Sequence, residues 1–350
     1  MKKFFCLIFL LPFISYGQPK SFTPSREQSF ELKSLTSGTN TSLRGLSVVS
    51  DQVAWASGSN GFIGKTTDGG LSWDWMQPEG YEKLDFRDIE AFDVQNAVVV
   101  NAGSPAYILL TTDGGKSWKK TYENTDSAIF LDGMDFWDKQ NGIVFGDPIL
   151  DQLQILTTND GGRSWKVISN QLNIKMQQGE ASFAASGTTI KTLGKGKVWI
   201  ATGGAVSNIY YSGNYGQTWV KYPCPIWQGE NSTGPFSMDF IDAQQGMVVG
   251  GNYLQDKERK NNALLTHDGG KTWLAPHTPV FGYRSGVLYV NQNLCVAVGT
   301  SGIDISKDRG VNWENISALG FNALKKAKKG KLLLLAGSKG MIYSLILPKR

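Results

Sequence analysis

TTDGGLSW at residues 66–73 returns as TTDGGKSW at 111–118. Four looser copies follow: TNDGGRSW at 158–165, SGNYGQTW at 212–219, THDGGKTW at 266–273 and SKDRGVNW at 306–313. The third residues of the six, Asp68, Asp113, Asp160, Asn214, Asp268 and Asp308, are spaced by 45, 47, 54, 54 and 40. A period of about 40 to 50 residues marks stacked supersecondary units. An Asp or Asn side chain is suited to accept from backbone N–H groups two and three residues on, while the glycine takes the positive φ that closes a hairpin. Each copy is therefore expected to staple its own turn rather than to bind calcium or sugar. The tryptophan opens the following strand and is placed to lie over the turn.

Two further strand-like stretches precede each motif. In the first unit the order is LRGLSVVS, VAWASGS, GFIGKTT, the turn, then SWDWM, a four-stranded antiparallel meander. Later units repeat it, the last three full ones beginning near Phe183, Phe236 and Arg284. Small sheets of this kind cannot bury both faces alone and pack round a common axis as propeller blades. After the sixth motif, residues 320–346 supply three strands and no seventh Asp motif, whereas SFELKSL at 29–35 has no blade of its own. Pairing that segment as the outer strand of the last sheet completes seven four-stranded blades and removes an open edge. The all-β expectation is thus a seven-bladed propeller over residues 18–350, with 18–28 as a lead-in. A six-bladed ring with a loose C-terminal hairpin is the alternative.

The eight-residue motifs resemble the Asp-box, or BNR, repeat of sialidases and related secreted propellers. Blade number and short glycine-rich hairpins look most like the propeller family of the photosystem II stability and assembly factor of plants and cyanobacteria. That resemblance implies a non-catalytic assembly or scaffolding role with a protein partner. The sialidase resemblance implies instead a glycoside hydrolase or a glycan binder. A sialidase, however, needs a tyrosine nucleophile paired with a glutamate and an arginine–isoleucine–proline segment near its start. This chain offers LRGL, FRDI and YRSG around its arginines instead.

The composition fits these expectations. Among 350 residues, 41 Gly, 11 Trp and 12 Tyr point to tight turns between aromatic-rich strands. MKKFFCLIFLLPFISYGQ begins with two lysines, runs apolar from Phe4 to Ile14, and offers small residues before a cut at Gln18. It reads as an export leader over residues 1–17, leaving no membrane span after cleavage and a periplasmic or extracellular destination. Its removal takes Lys2 and Lys3 and no acid, so the formal charge falls from +5 to +3. That is too mild to call for nucleic acid. KKAKKGK at 325–331 suits a solvated turn, with polyanion or membrane-surface binding as its other reading. Cys224 and Cys295 remain, in a loop and a strand, with no framework of pairs. A monomer is expected.

The Asp boxes should lie on one rim, and the second-to-third turns and interblade links on the other, more varied and hence working rim. Arg44, Arg87 and Arg284 open inner strands of the first, second and sixth units, three of only 8 arginines in the chain. Converging at the axial mouth, they would suit a carboxylate or phosphate, because each guanidinium presents a planar fork of donors. The alternative is that each pairs with a local acid such as Asp88, Asp132 or Asp135 and seals the channel. Glu180 and Glu230, with Asp147, are the weak candidates for paired glycosidase carboxylates. His267 sits at a variable motif position and His277 in a proline-flanked loop, too little for a zinc cluster or a Ser–His–Asp triad. No strand-to-helix GxGxxG and no haem or copper ligand set stands in the sequence, so no cofactor or metal is expected.

Overall fold

The structure, a computed structural model, describes Met1 and residues 30–35, 38–172 and 174–348. Apart from Met1, the leader expected over 1–17 and the lead-in at 18–28 lie outside the described residues. No helix among those described is long and apolar enough to cross a membrane.

Seven antiparallel sheets surround an axis. Their inner strands are Leu43–Val48, Asp85–Ala91, Leu131–Phe136, the split pair Glu180–Ala181 and Ile190–Leu193, then Thr233–Phe240, Gly286–Tyr289 and Ala323–Lys326. Each neighbours the next in chain order, and the seventh returns to the first. Burial grades outward: AVVVNA at Ala97–Ala102 is almost wholly enclosed, whereas KKTYEN at Lys119–Asn124 on the rim of the same blade is largely exposed. Blade five has a reduced outer strand, a single bridge between Leu265 and Leu274.

The N-terminal strand Glu31–Leu35 pairs antiparallel with Ile342–Ile346, from Glu31 opposite Ile346 to Leu35 opposite Ile342. It is the outer strand of blade seven, as the missing fourth strand requires, and the six-bladed alternative is excluded. Blades one and seven meet across Leu43, Leu46 and Val48 on one side and Ala323, Leu334 and Ile342 on the other. The core is therefore a ring of interblade seams rather than one central cluster.

The Asp boxes close their turns mainly through the residue four on; the expected N–H three on is a partner at Asp268, which accepts from Lys271 N–H at 3.1 Å, and the N–H two on is not. Asp68 accepts from Ser72 N–H at 3.0 Å, from the Ser72 hydroxyl, and from the Thr66 hydroxyl at 2.8 Å, so its partners stand four residues on and two back. Acceptance from both N–H groups, two and three residues on, occurs at the first-to-second turns of the same rim. There Asp93 serves Gln95 and Asn96, Asp138 serves Gln140 and Asn141, and Asp242 serves Gln244 and Gln245. The two turns are tied together, as by Gly69 N–H donating to Gln52 O at 2.9 Å.

Candidate functional site

The axial mouth on the opposite rim is built by β-bulges. Register slips fall between Leu43 and Gly45, Phe86 and Asp88, Leu131 and Gly133, and Pro235 and Ser237. The extra residues are Arg44, Arg87, Asp132 and Phe236, and a bulge re-aims the side chain of its extra residue. All four line one cavity of about 440 Å³.

Arg284 lies one residue out of this register. The equivalence is set by a close approach: a Cβ on Gly58, Gly146, Gly250 or Gly299 would stand 2.2, 2.1, 1.9 or 2.0 Å from the carbonyl oxygen of Ser42, Phe130, Gly234 or Tyr283. Each carbonyl belongs to the residue before Leu43, Leu131, Pro235 and Arg284. Arg284 is thus the counterpart of Leu43, and Ser285 occupies the arginine position and lines the cavity. The Arg284 guanidinium turns inward and is fully buried, with Nε and Nη2 each 2.8 Å from Asp304 Oδ2 and Nη1 bonded to Tyr283 O and the Ser301 hydroxyl. The expected convergence of three arginines is corrected to two.

Arg44 and Arg87 do come together. Burial, and then the charge of Arg87, push the Arg44 guanidinium below its usual pKa. Arg44 Nη1 donates to Ala185 O at 3.1 Å; Arg87 Nη1 reaches Ala184 O at 3.4 Å and its Nε holds Asp85 at 2.7 Å. None of the acids proposed for sealing takes them as ion-pair partners; the acids engaged are Asp85 and, for Arg284, Asp304.

Both carbonyls belong to a feature the sequence reading missed. Residues 182–189, SFAASGTT, interrupt the inner strand of blade four and cross the axis. Ser182 N–H donates to Asp147 at 2.8 Å, Ser186 to Ser285 O and Thr188 to the Ser237 hydroxyl at 2.7 Å, so blades three, six and five hold the segment along with the two arginines. Gly187, at φ +67, lies so close to Asp88 that a Cβ would stand 2.2 Å from the carboxyl carbon. The one cue in the sequence is that the strand pattern lapses through SFAASGTT. The cavity floor is aromatic: Phe183 stacks on Phe236 at 4.1 Å, and Tyr283 meets Phe236 edge-on at 4.8 Å.

The proposed carboxylate pair is dispersed. Glu180 is buried away from the cavity, accepting from the Thr202 hydroxyl, Asn208 Nδ2 and Tyr210 OH at 2.9 Å each for the last two, and from Gln177 N–H at 2.9 Å. Glu230 is exposed and accepts from Asn252 Nδ2 at 3.2 Å. Asp147 alone lines the cavity, where burial raises its pKa.

At the other mouth the lysine run forms the solvated turn expected, with Lys326, Lys328, Lys329 and Lys331 exposed, although two of these lysines also find partners. Lys328 reaches Glu90, Ala91 O and the Ser47 hydroxyl, and Lys326 reaches Val290 O. Lys191 pairs with Asp239 at 2.8 Å beside them. His267 and His277 are exposed, and Cys224 and Cys295 are buried free thiols. Among the described residues no group of three His, Cys, Asp or Glu is placed to hold a metal ion.

The family described as photosynthesis system II assembly factor YCF48 matches over residues 25–126. No curated protein matches the chain. A structure titled YCF48 bound to D1 peptide superposes with TM-score 0.65 at 15% identity, covering 91% of this chain and 95% of that one. YCF48 from Cyanidioschyzon merolae gives 0.64 at 17%, with 89% and 98% covered, and U3-55K gives 0.64 at 12%, with 90% and 98% covered. The chain is a propeller like the photosystem II assembly factors, and at these identities the likeness to solved structures speaks for the fold.

Proposed function

We propose that this propeller is an exported, non-catalytic binding protein, active as a monomer, that holds an acidic stretch of a partner protein in the Arg44–Arg87 cavity and so serves an assembly role. The observation that carries this reading is the pair of guanidinium groups aimed by two bulges into one cavity with an aromatic floor. Guanidinium forks bind carboxylates with two parallel hydrogen bonds, and the aromatic rings add apolar area for the chain that bears the acid. The structure of a similar propeller with a peptide bound supports a peptide as ligand. Export is supported by the leader-like composition of residues 1–17.

The test is calorimetric titration with a short glutamate-rich peptide and its glutamine counterpart. The acidic peptide binds and the neutral one does not; Arg44→Ala with Arg87→Ala weakens binding by roughly tenfold or more with little change in melting temperature. Equal binding of the two peptides, or an unaffected double variant, rejects the reading. An acidic glycan is the second ligand class, favoured by the same guanidinium pair over aromatic rings; it would bind where the peptide does not.

A further inference from the structure

The arginine cavity has an acidic back wall whose hydrogen bonding is incomplete. Asp132 is 1% exposed and lines the cavity, yet neither carboxylate oxygen has a hydrogen-bond partner among the described residues. The adjacent backbone donor, Asp147 N–H, is spent on Phe130 O at 2.9 Å. Among the described residues no cation pairs with Asp132 either: Arg87 is committed to Asp85 and Ala184 O, and Arg44 to Ala185 O. Asp147 accepts from Ser182 N–H on the same wall.

An ionised carboxylate in such a place gives up its hydration and receives nothing in exchange, so the neutral acid is the stable form. Burial, and then the charge of Asp147, push the Asp132 carboxyl well above the usual carboxylate range against smaller opposing pulls from Arg87 and from the nearby Asp147 N–H, whose bond in the fold goes to Phe130 O. A neutral carboxyl carries an O–H donor. Here the residue that bears that donor lines the cavity with two arginines, its oxygens just beneath the surface.

We propose that Asp132 acts as a protonated hydrogen-bond donor which, with Arg44 and Arg87, completes a three-point receptor for a carboxylate of the bound partner. The inference rests on the acidic-ligand reading above and adds a proton to it. A bound carboxylate stabilises the protonated form of Asp132. Affinity is therefore full below the raised pKa of Asp132 and falls as pH rises through it. Two guanidinium groups alone would give a flat profile wherever the ligand stays ionised. The charged and titratable groups facing Asp132 are Asp147 on the adjacent strand, Arg87 with Asp85 from blade two, Arg44 from blade one, and Tyr253 and Tyr283 across the cavity. Asp147, also raised, would shift the profile in the same direction, so Asp147→Asn serves as its control.

The experiment uses the glutamate-rich peptide and the whole mature chain, titrated from about pH 5 to about pH 9. Asp132→Asn keeps a donor and Asp132→Ala removes it. The wild type is expected to lose about tenfold in affinity toward high pH, Asp132→Asn to bind within about threefold of the low-pH wild type at every pH, and Asp132→Ala to bind about tenfold more weakly throughout. Carboxyl carbon NMR of the ligand-free protein should show Asp132 still protonated where ordinary aspartates have ionised. An Asp132 carbon titrating in the ordinary range overturns the inference whatever the peptide does. So does affinity that rises with pH, which would mean an ionised Asp132 receiving a cation, or Asp132→Asn as weak as Asp132→Ala. Loss of all peptide binding with a high Asp132 titration rejects the acidic-peptide ligand, and the inference with it.

Discussion

Arg284 shows how far a single residue of register reaches. From sequence it belongs with Arg44 and Arg87, because each opens an inner strand. In the fold it stands where Leu43 stands, and a one-residue slip carries a side chain from one face of a strand to the other. The guanidinium is enclosed with Asp304, both fully buried. Removing one partner of a buried pair leaves an uncompensated charge, so Arg284→Ala should destabilise the protein by about 3–5 kcal/mol, measured by urea unfolding, while Arg44→Ala costs far less. A variant that lost stability by less than about 1 kcal/mol would show that Asp304 finds another partner. Glu180 teaches a related lesson: an acid that looks free in a loop is in fact accepting from four donors, each of them distant enough in sequence or weak enough in pattern to escape reading. Side-chain partners across blades depend on where backbones are brought, and periodicity does not report that.

Turns were more legible. The Asp-box copies marked every third-to-fourth hairpin of the first six blades because each needs an acceptor, a glycine or tolerated positive φ, and an aromatic within eight residues. What the motif did not disclose is which donors the acceptor uses. The hydroxyl four residues on, at Ser72, Ser117 or Thr272, lowers Asp68, Asp113 and Asp268 to about 2, with help from the backbone N–H of the same residue. A carboxyl whose folded pKa is depressed contributes stability that is complete above its unfolded pKa, near about 4, and is lost as pH falls toward about 2. Changing all three to Asn should therefore lower the melting temperature at about pH 6, with the difference from wild type shrinking to near zero by about pH 2. Blade four already carries that substitution: Asn214 accepts from Thr218 N–H at 2.9 Å and donates to its hydroxyl. A difference that persists in acid would place the effect in packing rather than in charge. The crossing segment 182–189 was the illegible element. It has neither strand alternation nor a turn signature, and only the meeting of five blades defines its path.

The ring as a whole was legible from arithmetic, since six motifs with three surplus strands and one orphan at the front allow one economical closure. Glu31–Leu35 supplies the edge that Ile342–Ile346 lacks. A chain starting at residue 38 should therefore melt at a clearly lower temperature and aggregate on concentration, because an unpaired edge is a template for another chain. Calorimetry and light scattering check this; unchanged behaviour of the shortened chain would make the closing strand an ornament. Because Glu31–Leu35 is laid beside Ile342–Ile346, the ring has no completed state until the later of the two strands has been made. A ribosome that makes the chain in order handles an open arc until Ile342–Ile346 emerges, and only then can the circle lock.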